Sequence, residues 1–386
     1  MRRVGVGRAR VAVAGLALAA FAFITAETLP IALLPLIAGG LRVPQSSVGL
    51  LVSAYALIVL VATVPLTRLT VRLPRRLLLG GVMVLLVVST AASAASPTWT
   101  VLLLSRVLTA LAHSVFWAVV VPTAAQLVPP ERRGRAVSAV YAGQSVAVVL
   151  GVPLGTVVGD LAGWRAAFLG TAAIGAIAVA VAVPLLPARG AAEGASGTGS
   201  APDARRYAVL VAVTAVAVTG TLAAFTYVNP FLTEVSGVPL PLVGALLSVR
   251  GIAGLVAVLV VGRLVDRHPG PAMLVPLGVQ VVALVAQWLG AASAPVAATA
   301  IVVSGAAGAA YSAALGARVL VVAPGSLDVA TAGTSTAYNG GIMLGSALGG
   351  AVLVSAGLVP IPLVAAGFVL AALAVVGLDA RRPAVL

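Results

Sequence analysis

The sequence predicts an all-α integral membrane protein: twelve transmembrane helices in two pseudo-symmetric six-helix halves. Three observations predict it. Of 386 residues, 61% are hydrophobic and only 8% charged, against roughly 25% charged in soluble domains; a water-soluble chain could not cover its surface with so few charges. Apolar runs of about 20 residues, the length that crosses a bilayer, recur along the chain. Arginines fall on alternate connections between those runs, as the positive-inside rule requires.

Composition also narrows the chemistry. The net charge is +14, carried by 23 arginines and no lysine, which alone could point to nucleic acid. There is no Cys, which excludes disulfides, thiolate metal sites and cysteine nucleophiles. Two His and nine acidic residues, mostly scattered, leave little for a metal site or a catalytic acid/base pair. No P-loop occurs, because the Gly-rich segments lie inside apolar runs rather than after a strand. The expectation is therefore no metal, no cofactor and no enzyme activity.

The spans lie near 11–38, 47–67, 77–96, 99–128, 136–159, 164–187, 207–232, 240–262, 272–291, 295–317, 329–354 and 358–378. These runs are too long for strands, and barrel strands would alternate over about ten residues. Interior prolines such as Pro30, Pro35, Pro153, Pro230 and Pro276 are compatible, since membrane helices tolerate them. The first span follows a basic Met1–Arg10 segment. Its apolar stretch continues past Glu27 to Ala38, too long for the core of a cleaved signal, so it reads as an uncleaved helix.

Nineteen of the 23 arginines fall in one set of connections: Arg2, Arg3, Arg8 and Arg10; Arg68, Arg72, Arg75 and Arg76; Arg132, Arg133 and Arg135; Arg189, Arg205 and Arg206; Arg263 and Arg267; Arg318; Arg381 and Arg382. The opposite set holds only Arg42 and Arg165, and Arg106 and Arg250 fall inside spans. This bias places both termini in the cytoplasm and makes the basicity topological, so no nucleic-acid partner is expected. The hydrophilic stretch 188–206, rich in Ala, Gly and Ser, reads as a flexible cytoplasmic linker between bundles 1–187 and 207–386.

The two halves echo each other. Gly151-x3-Gly155 corresponds to Gly345-x3-Gly349 at an offset of 194, and loop 67–76 to 262–271 at 195. Pro30 corresponds to Pro230 at an offset of 200. Two similar six-helix halves with a site at their interface are a known transporter architecture.

These residues resemble the major facilitator superfamily, in its drug/proton antiporter branch, and most of all the bacterial sugar-efflux and chloramphenicol-resistance transporters. The resemblance is carried by Thr25-Ala-Glu27-Thr-Leu-Pro30-Ile-Ala-Leu-Leu-Pro35 and Tyr55-Ala-Leu, with the Arg-rich loop that follows. Further along stand Arg106 to Trp117, Gly151-Val-Pro153-Leu-Gly155-Thr, Gly163-Trp-Arg165 and Phe225-Thr-Tyr-Val-Asn-Pro230. It covers nearly the whole chain except the tails and linker, and it is weak for substrate. It departs from the family at Val71, where the loop motif usually carries an acid, although Arg72, Arg75 and Arg76 remain. The second copy keeps Gly262, Asp266 and Arg267 but ends Gly270-Pro271. This puts in doubt the ion-pair latch that the resemblance implies for the N-terminal half. The helix-five motif has Val-Pro where many members have Gly-Pro.

Glu27 is the sole acid inside the expected spans, and intramembrane carboxyls are functional candidates by default. The resemblance implies a role in protonation and cation recognition; the plain alternative is a Glu bonded to backbone or to water. Arg106 needs a partner or a hydrated cavity, and the resemblance links it to proton coupling. His113 lies two helical turns on, on the same face, and could take a proton near neutral pH or simply be a satisfied bundle residue. Arg250, where Tyr55 stands in the first half, could bind a polar or anionic substrate group, or pair with Glu27 or a backbone carbonyl. Tyr227, Asn229 and Asn339 could bond a substrate or make weak interhelical bonds. Phe116 and Trp117 offer a flat apolar surface to a ligand, or packing.

Gly143, Gly151, Gly155 and Gly159, with Gly341, Gly345 and Gly349, follow small-x3-small spacing. With Pro153 they are expected to form a packing surface across which the halves rock, or a static one. The loop residues Arg72, Arg75, Arg76, Asp266 and Arg267 are expected to gate the cytoplasmic side or only to set topology.

The reading is proton-coupled efflux of a drug, sugar or secondary metabolite across a bacterial cytoplasmic membrane by alternating access. The expected partners are substrate, protons and lipid, with the chain working as a monomer. The alternatives are an uptake symporter or uniporter of sugars or nucleosides with the same fold and, from another class, a membrane enzyme or sensor.

Overall fold

The computed structural model describes residues 6–187, 198–267 and 271–380. Among them every regular element is a helix. Twelve helices are long and apolar enough to cross a membrane: α1 Gly7–Ala32, α2 Ser47–Thr70, α3 Arg75–Ala94, α4 Trp99–Gln126, α5 Pro130–Ala162, α6 Trp164–Leu185, α7 Ala204–Thr226, α8 Leu242–Arg267, α9 Ala272–Leu289, α10 Ala294–Val322, α11 Leu327–Ala356 and α12 Ile361–Asp379. A bilayer offers the backbone no hydrogen-bonding partners, so a chain this apolar closes its amide bonds within each segment.

Several boundaries differ from the hydropathy reading. Apolar length marks where hydrocarbon begins, whereas helices run on until their backbone is capped. Helix α8 continues through Arg263, Asp266 and Arg267, and α10 through Arg318. Five further acids, Glu131, Asp160, Asp266, Asp328 and Asp379, lie inside these twelve helices, so Glu27 is not their sole acid. Span one does not run unbroken to Ala38: α1 stops at Ala32 and a second helix, Leu34–Leu41, follows a turn at Leu33.

The chain divides into two compact units, and the division is not a single cut at the linker. The first comprises Met1–Thr198 with Gly325–Thr336, and the second Gly199–Pro324 with Ala337–Leu386. The start of α11 thus clusters with the first unit and its remainder with the second. Of the expected linker 188–206, residues 188–197 lie outside the described residues, as do Arg2, Arg3, Arg189, Gly270, Arg381 and Arg382. The rest is not a free tether. The amides of Gly199, Ser200, Ala201 and Asp203 donate to the carbonyls of Ala323, Leu320, Val321 and Val322 at 2.9, 3.1, 2.9 and 3.0 Å. They satisfy the carbonyls that a helix C-terminus leaves open. A Cβ at Gly199 would strike the Val321 carbonyl. Asp203 then caps α7, accepting from the Arg206 amide at 2.9 Å.

Each unit is built on a close helix pair. In the first, α5 lies on α1 in parallel register: the missing side chains of Gly143, Gly151, Gly155 and Gly159 face Ala17, Thr25, Leu29 and Leu33. In the second, Gly341, Gly345 and Gly349 of α11 face Val218, Thr219 and Tyr227 on α7 and just beyond its end. Each of these glycines therefore meets a helix of its own unit, the close packing expected from the spacing; close approach of two backbones needs their missing side chains where the helices meet. Pro153 is exposed and follows a widened π turn over Ala147–Gly151; a second such turn, Phe231–Val235, follows Pro230. A proline removes one backbone bond, and local widening is one way a helix absorbs it.

Apolar clusters close corresponding ends of the units. In the first, Leu29, Leu33, Ile37, Leu51, Leu102 and Phe168 are buried together; in the second, Val228, Phe231, Leu232, Val243 and Ile301. Between α3 and α4, buried hydroxyls bond in pairs: Ser93 with Ser105 at 2.7 Å and Thr109 to Ser89 at 2.9 Å.

Gly143→Ala should lower the thermal midpoint of the purified protein, because its Cβ meets the backbone carbonyl of Ala17, which has no room to move. Overpacking of this kind costs about 1–3 kcal/mol. Gly170→Ala, with nothing within 4 Å of the new Cβ, should leave the midpoint in place. Equal midpoints for the two variants would refute the packing role.

Candidate functional site

The polar centre of the first unit starts from a backbone defect. Pro30 has no N–H, so the carbonyl of Ala26, four residues earlier, loses its helical partner. Arg106 of α4 replaces it. Its Nη1 donates to the Ala26 carbonyl at 2.7 Å, and its Nη2 reaches the Glu27 carbonyl at 3.4 Å. The side chain is 2% exposed. Its guanidinium carbon also lies 4.7 Å from the centre of the Tyr55 ring of α2, a cation–π distance. Arg106 thus bonds to the backbone of α1 beside the carboxylate, and not to the carboxylate itself.

The carboxylate of Glu27 faces His113 instead, with Oε2 3.6 Å from Nδ1. That is longer than a hydrogen bond, but close enough for a proton on either group to change the field at the other. The Glu27 side chain is 34% exposed, whereas that of His113 is 6% exposed. One wall of the site is thus open to a proton or a ligand and the other is closed. His113 is fixed by rings: Tyr55 at 5.5 Å and Phe23 at 6.1 Å, both edge-on, and Trp117 at 6.2 Å. The structure therefore brings Glu27, Arg106 and His113 together, and adds Tyr55, which sequence reasoning quoted only as part of a motif.

Phe116 does not offer a face to a ligand. It is fully buried and stacked on Phe23 at 4.1 Å, which corrects the expectation; in an apolar bundle a Phe finds a ring partner more readily than an opening. Trp117 is also buried, packed on Phe116 and Tyr141.

The Arg-rich loop resolves into helix ends. Arg75 is the first residue of α3 and buried, whereas Arg72 and Arg76 are exposed. Arg75 pairs with Asp328 in the first turn of α11 at 2.6 Å, with side chains 5% and 0% exposed. The acid missing at Val71 therefore has a counterpart supplied from 253 residues away. Sequence reading placed Asp328 just outside a span and assigned it nothing; an acid one residue before an apolar run, at a helix N-terminus that favours negative charge, was the available signal. Arg267 is exposed, and Asp266 is half-buried and engaged.

In the second unit, Tyr227 packs into the space left by Gly349 and Gly350 and donates to the Ser346 carbonyl at 3.2 Å. It serves as an interhelical bond. Asn229 is exposed, and Asn339 is half-buried and engaged. Arg250 lies over Phe225, 3.9 Å from the ring centre. A polar set that sequence reading passed over sits nearby in the chain: Gln280 to Ser304 at 2.8 Å, Tyr311 to Thr214 at 3.3 Å and Ser312 with Tyr338 at 3.3 Å. Among the described residues no group of three or more His, Cys or acidic side chains could hold a metal.

Comparison with known proteins places this geometry. Residues 16–286 match the model of the Major Facilitator Superfamily. The chain is 41% identical over 264 residues to a chloramphenicol efflux pump of Mycobacterium tuberculosis, covering 67% of this chain and 64% of that protein. It thus spans less than two thirds of that relative. It is 33% identical over 338 residues to a protein of Mannheimia succiniciproducens named "Probable sugar efflux transporter", covering 86% of this chain and 85% of that one. Its fold is similar to the crystal structure of a bacterial homologue of the iron transporter ferroportin, with a TM-score of 0.80 at 17% identity over 97% of this chain and 99% of that one. Twelve spans, a polar centre built on a proline break in the first helix, and a family match over most of its length show that this chain belongs to the Major Facilitator Superfamily of membrane transporters.

Proposed function

We propose that this transporter is a proton-coupled antiporter that exports a small organic molecule across a bacterial cytoplasmic membrane by alternating access, with both termini cytoplasmic. The observation that carries the proposal is the half-exposed carboxylate of Glu27, 3.6 Å from the His113 ring and beside the guanidinium of Arg106. A carboxylate in this position binds a proton on one side of the membrane and releases it on the other. His113 is the neighbour that shares its field. Arg106 is a positioning residue: it holds the broken turn of α1 that aims Glu27. Export, rather than uptake, follows the names of the two relatives. The buried Arg75–Asp328 pair acts as a cytoplasmic latch that opens once per cycle, and Arg72, Arg76, Asp266 and Arg267 belong to the charged cytoplasmic helix ends.

Glu27→Gln should reduce gradient-driven transport at least tenfold in inverted vesicles, at unchanged protein level. Transport by that variant at the wild-type rate would remove the coupling role. In right-side-out vesicles, acidifying the outside should drive substrate out of an antiporter and into a symporter.

Arg106→Gln leaves the Ala26 carbonyl without its donor, at a cost of about 1–3 kcal/mol. Pro30→Ala returns an amide to that carbonyl. The double variant Pro30→Ala/Arg106→Gln should therefore melt above Arg106→Gln alone while remaining inactive in transport. Additive losses of stability in the two variants would show that Arg106 does not replace the missing bond.

Asp328→Ala should destabilise the protein by about 3–5 kcal/mol, because it strands a buried guanidinium. The exchange Arg75→Asp/Asp328→Arg should recover part of the loss. Thermal unfolding of the three variants checks it, and no recovery in the exchange would argue against a direct pair.

A further inference from the structure

Arg250 is the buried-helix charge that the coupling chemistry leaves unused. It lies in the interior of α8, eight residues after Leu242, where α8 begins, or about 12 Å along the axis at 1.5 Å per residue. That is too deep for its side chain to reach a lipid headgroup. Its surroundings come from three other helices of its own unit. Phe225 of α7 lies under the guanidinium at 3.9 Å. Gly305 of α10 faces the side-chain stem: a Cβ there would strike Arg250 Cγ and come within 2.8 Å of Nε. Tyr338 of α11 is near enough to interact with it electrostatically. The stem thus fills a cradle that any side chain at position 305 would occupy. Three other helices of the unit therefore border the side chain.

Among the described residues the guanidinium of Arg250 forms no ion pair and no hydrogen bond. Arg75 and Arg106 each have a protein oxygen. Their remaining nitrogens include fully buried ones, which Arg250's do not. Arg250 is partly exposed, and beside it Phe225 and Thr226 are exposed. A guanidinium held by its stem and its face, with its donor edge left open, is arranged to receive two coplanar oxygens.

We infer that Arg250, seated on Phe225 and Gly305, is a binding site for the carboxylate of an organic anion, and that the exported molecule belongs to that class. The inference rests on the transport reading above. The guanidinium fork takes the carboxylate, the stacked Phe225 holds the fork flat, and Tyr338 lies beside the anion.

The test uses the full chain, purified in detergent with no gradient, so that it reads binding and not coupling. Phenylacetate, 3-phenylpropionate and indole-3-acetate are compared with their carboxamides by thermal shift and calorimetry. At least one carboxylate should bind tenfold or more tightly than its carboxamide, and the preference should fall below twofold in Arg250→Gln. Arg250→Lys should retain part of it. Should Arg250→Gln not fold, Gly305→Ala, which displaces the stem, should lower the preference instead. Carboxamides binding as well as carboxylates, no carboxylate binding at all, or a preference unchanged in the folded variants would each overturn the inference. Failure of the antiport reading appears separately, as Glu27→Gln vesicles that still transport.

Discussion

Hydrocarbon cannot accept or donate a hydrogen bond, and the rest of this structure follows from how the chain lives with that constraint. A backbone carbonyl or a charge left inside the bilayer needs a partner made of protein or of trapped water. The chain meets the demand frugally. Threonine and serine hydroxyls turn back to carbonyls of their own helices, as Thr63, Thr67 and Thr214 do. Other side chains reach across to a neighbouring helix, as Ser93 does to Ser105 and Gln280 to Ser304. Arg106 is the central case: Pro30 opens the backbone of α1, and the charge that closes it also sets the position of Glu27.

The glycine ladders belong to the same economy. A long, nearly charge-free helix has little besides contact to hold it to its neighbour, since lipid tails are as apolar as leucine. Packing α5 on α1 through Gly143, Gly151, Gly155 and Gly159 brings the backbones close, and the register it enforces carries Glu27 and the Ala26 carbonyl to a fixed height in the unit. The polar centre around Glu27 is therefore only as well placed as this pair of helices. The prolines need not conflict with the packing: Pro30 is compensated by Arg106, and beside Pro153 the helix widens into a π turn.

Much of this was legible in the sequence because bilayer thickness and charge bias are coarse signals that survive without tertiary information. The twelve spans appear from apolar length, and Glu27, Arg106 and His113 stand out because charge is scarce. Partners were not legible. Asp328 stands just before the apolar run that begins at 329, because hydropathy starts a span where the charges end, whereas the helix begins earlier; nothing in the local sequence says that Arg75 waits for it 253 positions away. Phe116 was read as ligand surface because residue type reports what a side chain could do, and only packing reports that Phe23 already covers it. The glycines gave their spacing but not their direction, since small-x3-small marks a close contact without naming the helix contacted.

The two units repeat a sequence pattern but differ in the charge each carries at its centre. Where the first unit places Tyr55, the second places Arg250, and the cation–π pair survives with its members on different helices: Arg106 over Tyr55 in one, Arg250 over Phe225 in the other. In the first unit the guanidinium is spent on backbone carbonyls, next to a carboxylate that can change its charge. In the second it is bonded to neither carbonyl nor carboxylate. A transporter that exchanges protons for cargo needs both: a group whose charge follows the proton, and a group whose charge stays constant to hold the cargo. Arginine remains protonated at any physiological pH, so under the proposed antiport the first unit supplies the group that titrates and the second the charge that does not.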